Sequence, residues 1–187
     1  MGKQNAYSLK NSSATLMTSS PKSSSSLFDV EAQLGFYKAY HNNTANVLIH
    51  SIFVPTILLT SLRLVNDIEL WHGYNLSHAA AFAFGIFYIV LQTWTGILAS
   101  LILASICKVL NDGTVRMSQT TTWLLFAISW IFQFIGHVVF EGRKPALVDN
   151  LVQSLVLAPY FILYELLFKL GFMPDLKKNY RSGWTGN

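Results

Sequence analysis

The chain has 187 residues, of which 52% are hydrophobic and 12% charged, with a formal net charge of +4. Charge at about half the share usual in a soluble domain excludes an ordinary water-soluble core, and basic residues placed mostly at the two ends point to anionic lipid rather than nucleic acid. The composition fits one domain whose core is a bundle of spanning helices, and a single cysteine, Cys107, excludes an internal disulfide.

Residues 1–27 are rich in Ser, Thr, Asn and Lys, with SSPKSSSS as the extreme. They carry too little apolar surface to offset the entropy of ordering and are expected to form a disordered tail. The tail has no signal-peptide core, and Ala6 stands where a myristoylation signal needs Ser or Thr, so the first apolar helix is expected to direct insertion. Phe28 to Tyr40 has apolar residues at 30, 34, 37 and 40, which predicts an amphipathic helix capped by Asp29 and lying along the membrane surface. His41 is followed by NNTAN, a run of turn and cap formers, before VLIHSIFVPTILLTSLRLV begins a segment of spanning length. In one straight helix His41 and His50 would lie on opposite faces. A break at Asn42–Asn46 instead lets His41 close one helix while His50 sits one turn inside the next.

From Ala79 to Val109 the only charge is Lys108, and the run is too long for one crossing. It should fold back at Gln92–Gly96, QTWTG. A polar loop, NDGTVRMSQ, leads into a helix ending at His137, and the loop GRKPALVDN precedes a last apolar helix interrupted by Pro159. The expected fold is all-α: a polytopic membrane bundle of four to five spanning helices with an N-terminal amphipathic helix. Its divisions are a tail at 1–27, a membrane-embedded domain at 28–176 and a basic C-terminal tail at 177–187. With five spans, Lys and Arg are balanced between the two sides and give no orientation. Four put both termini on the cytosolic side, with the Pro55 or the Pro159 segment re-entrant or interfacial, and this version is preferred.

Candidate chemistry concentrates in Trp130–Asp149, WIFQFIGHVVFEGRKPALVD, where an uncharged run ends in His137, Glu141, Arg143 and Lys144. Ionisable groups at the end of such a run are costly without a partner and mark a functional site by default. Helical spacing places Gln133, His137 and Glu141 on one stripe. His41, His50 and His137 with Glu141 near one membrane face would form a nitrogen-rich site suited to Fe, Zn or Cu. Glu141 is then either a fourth ligand or a partner orienting a histidine N–H, while Arg143 and Lys144 serve either an acidic head group or membrane anchoring. His72 and His78 flank a polar loop and read as solvent or headgroup contacts. There is no HExxH and no glycine-rich phosphate loop. A haem protein with two axial histidines and a non-enzymatic scaffold are the rival classes.

Two segments, LGFYKAYHNNTANVLIHSIFVPTIL and WIFQFIGHVVFEGRKPALVDNLVQSLVLAPYFILYELLFKLGFMP, closely resemble the family of fungal 2-hydroxy fatty acid dioxygenases of phytosphingosine degradation, once classed only as a domain of unknown function. The resemblance covers residues 28–176 and rests on a histidine, Asn, a second histidine before VP, and later QFxGHxxFExxxPAL. It implies an endoplasmic-reticulum membrane enzyme that uses Fe(II) and O2 to remove one carbon from a long-chain 2-hydroxy fatty acid, and it puts the family's histidines on His41, His50 and His137. His72 and His78 have no counterpart in those motifs.

Overall fold

The structure, a computed structural model, describes residues 27–142, 144 and 153–181. The expectations for the Ser-rich stretch and for Arg143 therefore lie outside the described residues, apart from Leu27.

Helix α1 (Val30–Tyr40) starts where Asp29 accepts from the Glu31 and Ala32 amides, at 3.1 Å each. An aspartate at this position satisfies amides that the first turn leaves without partners. Its buried stripe of Gln33, Leu34 and Tyr37 faces protein, with Leu34 and Tyr37 in the hydrophobic core. Helix α2 (Thr44–Asn66) begins after Asn43, whose side chain accepts from Ala45, and runs unbroken through Pro55 for 23 residues. The predicted break is thus confined to Asn42 and Asn43, and the two helices meet at a corner.

After α2 comes a short antiparallel hairpin, β1 (Glu69–Trp71) and β2 (Tyr74–Asn75), where the sequence suggested only a polar loop. Its two turn residues, His72 and Gly73, both have positive φ, 41° and 85°, as the tightest hairpin turns require. Helices α3 (Leu76–Leu91) and α4 (Thr93–Asn111) form the expected fold-back, with Gln92 as the joint capping the Thr95 amide at 2.8 Å. The two helices approach so closely that a Cβ on Gly96 would lie 2.3 Å from the Tyr88 carbonyl oxygen. Backbone cannot retreat as a flexible side chain can, so Gly96→Ala is expected to destabilise the hairpin by about 1–3 kcal/mol, measured as a lowered unfolding midpoint in detergent.

Helix α5 (Gln119–Ile135) continues as a π-helical turn, Gly136–Glu141, and packs along α2. A second π-helical turn, Gln153–Leu157, leads into α6 (Ala158–Lys169), and α7 (Pro174–Arg181) follows after a 115° bend. Pro159 sits in the first α-helical turn of α6, directly after the π-helical turn. Of the two proline-containing segments, the last one is therefore bent, at residues beyond its proline, while α2 stays whole. Buried tyrosines tie α6 to the hairpin: the Thr95 hydroxyl lies 2.5 Å from Tyr160 Oη and 2.9 Å from Tyr164 Oη, and Tyr88 donates to the Val156 carbonyl.

Among the described residues three helices are long and apolar enough to cross a membrane, namely α2, α4 and the continuous Gln119–Glu141, and the bent α6–α7 pair makes up to four. Helix α3 is apolar but shorter. Large apolar side chains such as Ile52, Leu101, Trp123 and Ile131 point outward, as lipid-facing surfaces require. The protein is an all-α membrane protein.

Candidate metal centre

Three chain segments converge at one end of the α2–α5 pair. His41 caps the C-terminus of α1, and its Nδ1–H donates to the Tyr37 carbonyl at 2.8 Å. His50 lies one turn beyond Asn46 in α2, and its Nδ1–H donates to the Asn46 carbonyl at 2.9 Å. A carbonyl can only accept, so in both rings the proton is held on Nδ1 and the Nε2 lone pair is left for another partner. His137 enters from the π-helical turn, with its Nε2 3.2 Å from that of His50. The three ring centroids are 4.5, 4.8 and 5.0 Å apart, and one ligand nitrogen from each ring lies within 4.8 Å of the others.

All three rings are at most 5% exposed. Burial, reinforced by His50 nearby, holds the His41 imidazole well below the usual histidine range, so the ring stays neutral. With their protons on Nδ1, His41 and His50 offer Nε2 lone pairs within the cluster, a donor arrangement that suits a cation. Two nitrogens bound to one ion at roughly 2.1 Å, with an angle near that of octahedral or tetrahedral coordination, are separated by about 3.0–3.4 Å, which brackets the His50–His137 distance. The donor set therefore fits a metal ion. A haem fits poorly, because axial imidazoles must stand on opposite faces of a macrocycle and this spacing leaves no room for one.

The π-helical turn is one thing the stripe of Gln133, His137 and Glu141 did not disclose. It begins at Gly136, where a Cβ would sit 2.4 Å from Asn46 Oδ1 and 3.5 Å from His50 Cε1. Glycine is what lets the backbone approach α2 closely enough for His137 to reach His50. Such bulges are frequent at functional sites.

Glu141 lies at the end of that turn and bonds to neither Nδ1 of His41 nor Nδ1 of His50. Its Oε1 accepts from the Asn42 and Asn43 amides at 2.8 Å each and from Asn46 Nδ2 at 3.1 Å. A carboxylate at a helix N-terminus satisfies amides that otherwise lack partners and complements the helix dipole. Glu141 thereby pins the corner that separates His41 from His50. Glu141→Ala is expected to lower stability by about 1–3 kcal/mol, while Glu141→Gln keeps the acceptor and loses less. Metal content separates this role from ligation: an anchor lets Glu141→Gln retain the metal, and loss of metal in a folded Gln variant would make Glu141 a ligand. Lys144 is exposed, and Arg143 lies outside the described residues.

The histidines open onto a cavity of about 390 Å³ between α1, α2, α5 and the start of α6. It follows α2 from His50 past Val54 to Ser61, and α5 from His137 past Trp130 to Phe126. Each of these stretches spans eleven helical steps, roughly 16 Å. No Lys, Arg, Asp or Glu lines it among the described residues. Four of its polar atoms are buried without a hydrogen-bond partner among those residues: Tyr37 Oη, His41 Nε2, Gln133 Nε2 and Ser154 Oγ. Sequence reasoning gave no role to Tyr37 or Asn46, although each stands four residues before a histidine, the spacing that aligns a carbonyl with a ring N–H.

His72 and His78 are elsewhere. His72 forms the hairpin turn, and His78 accepts from the Asn75 amide in a reciprocal cap at the start of α3.

The family model described as 2-hydroxy-palmitic acid dioxygenase Mpo1-like matches residues 27–170. A Saccharomyces cerevisiae protein named 2-hydroxy-palmitic acid dioxygenase MPO1 is 53% identical over 151 residues, covering 81% of this chain and 87% of that protein. No solved structure matches the chain. The three-histidine centre, the apolar cavity and this similarity belong together, and the chain is a member of the Mpo1-like family.

Proposed function

We propose that the protein is an iron(II)-dependent dioxygenase that shortens long-chain 2-hydroxy fatty acids by one carbon. The observation that carries this reading is the convergence of three buried imidazoles at the end of an apolar cavity that no charged side chain lines among the described residues. His41, His50 and His137 would hold the iron, which supplies O2 activation and a chelating site for a carboxylate and its neighbouring hydroxyl when bound there.

The remaining work is the protein's. The Tyr37 and Asn46 carbonyls fix the tautomer of two ligands and aim them. The wall between α2 and α5 receives the acyl chain and excludes water from its head, each buried CH₂ contributing about 0.8 kcal/mol. Glu141 keeps the α1–α2 corner closed, and Arg143 and Lys144, which follow Glu141 in sequence, would supply positive charge for an acidic substrate. The resemblance and the basic ends of the chain support an endoplasmic-reticulum membrane location with both termini cytosolic, with membrane lipid and no nucleic acid as partners.

The test is purified protein stripped by chelator and reloaded anaerobically with Fe(II), then given O2 and 2-hydroxypalmitic acid. Iron bound per chain and the fifteen-carbon acid should rise together, with no Soret band. Product formed equally by stripped and reloaded protein would refute iron dependence.

A further inference from the structure

Gln133 stands one turn before His137 on α5, is 6% exposed and lines the cavity. Among the described residues its Nε2 has no hydrogen-bond partner, and no lysine or arginine shares the cavity wall with it. A buried amide N–H without an acceptor is a standing cost, and such groups are rare unless a ligand or water completes them. Replacing it with an apolar side chain would remove that cost, so packing does not explain the amide.

We infer that Gln133 is the substrate-binding residue that donates to a carboxylate oxygen of the 2-hydroxy acid. This rests on the dioxygenase reading for the identity of the ligand and adds a contact that needs no metal. The position suits such a contact, because Gln133 is about 6 Å along the helix axis from His137, on the side from which the acyl chain enters, and its face is the histidine's face. A neutral donor also suits this wall better than a cation. A lysine or arginine there would have to be buried unpaired whenever the cavity is empty, whereas an amide carries a far smaller desolvation penalty. Hydrogen bonds from a neutral donor to a carboxylate are among the stronger kind.

The test uses the full chain in detergent with metal removed by chelator, so that the metal contact is absent and the remaining head-group contacts are read alone. Binding of 2-hydroxypalmitate and of pentadecane is measured for the wild type, Gln133→Leu and Gln133→Glu, together with the unfolding midpoint. Gln133→Leu should weaken the acid by about tenfold or more, leave pentadecane unchanged and not lower the midpoint of the ligand-free protein. Gln133→Glu should weaken the acid further through repulsion between carboxylates. A purely structural glutamine predicts the opposite pattern, with a lowered midpoint and both ligands weakened together, and that result would overturn the inference. Unchanged acid binding by Gln133→Leu would overturn it as well. If the iron-loaded wild type binds the acid in a Gln133-dependent way and yields no shortened product under O2, the dioxygenase reading fails and the Gln133 contact stands. If product forms at the wild-type rate in Gln133→Leu, the reading stands and the contact fails.

Discussion

His41→Ala, His50→Ala and His137→Ala are each expected to abolish turnover of 2-hydroxypalmitic acid and to lose the metal, in protein that still inserts into membranes. Each substitution removes one of three clustered imidazole nitrogens, and a site with two imidazoles left holds a divalent ion far more weakly. His41 and His50 also bond the Tyr37 and Asn46 carbonyls, so their loss frees a backbone acceptor in addition to the ligand. His72→Ala should leave turnover near wild type because that side chain is in the distant hairpin turn. His78→Ala should do the same for rate while lowering the melting point slightly, since it breaks a helix cap worth about 1 kcal/mol. Metal per chain by elemental analysis and rate of product formation decide each case. Any of the three keeping both metal and rate is thereby struck from the site.

Palmitic acid should bind and not react, whereas 2-hydroxypalmitic acid should do both. The two share the whole apolar tail, and so share the burial along α2 and α5 that contributes about 0.8 kcal/mol per CH₂. They differ in one oxygen at the carbon beside the carboxylate, the atom that completes a small chelate. A 3-hydroxy acid must close a larger ring and should be a poor substrate. Shortening a 2-hydroxy acid should weaken binding in steps, since only burial changes. O2 consumption and the one-carbon-shorter product, measured for all three head groups at one chain length, give the comparison. Comparable turnover of palmitic acid would sink the chelation model and indicate attack on an unactivated carbon instead.

Much of this site could be read from the chain in one dimension. Hydropathy alone specified an all-α membrane protein, because uninterrupted apolar runs must satisfy their own backbone groups as helices. The cap at Asp29, the joint at Gln92 and the helix break after His41 are local events, governed by side chains within a few residues of the backbone they serve. The resemblance selected His41, His50 and His137 from five histidines, and the structure brings those three together while leaving His72 and His78 apart. What sequence could not supply were contacts between segments far apart in the chain. The bond from Glu141 to Asn42 and Asn43 joins residues almost a hundred positions apart, and periodicity along one helix carries no information about a neighbour's amides. The π-helical turn at Gly136–Glu141 exists because α5 must approach α2 at Asn46 and His50, a packing demand that no local propensity encodes. The buried amide of Gln133 is likewise invisible in sequence, because only packing against the neighbouring helices buries its Nε2 and leaves it without a protein partner among the described residues.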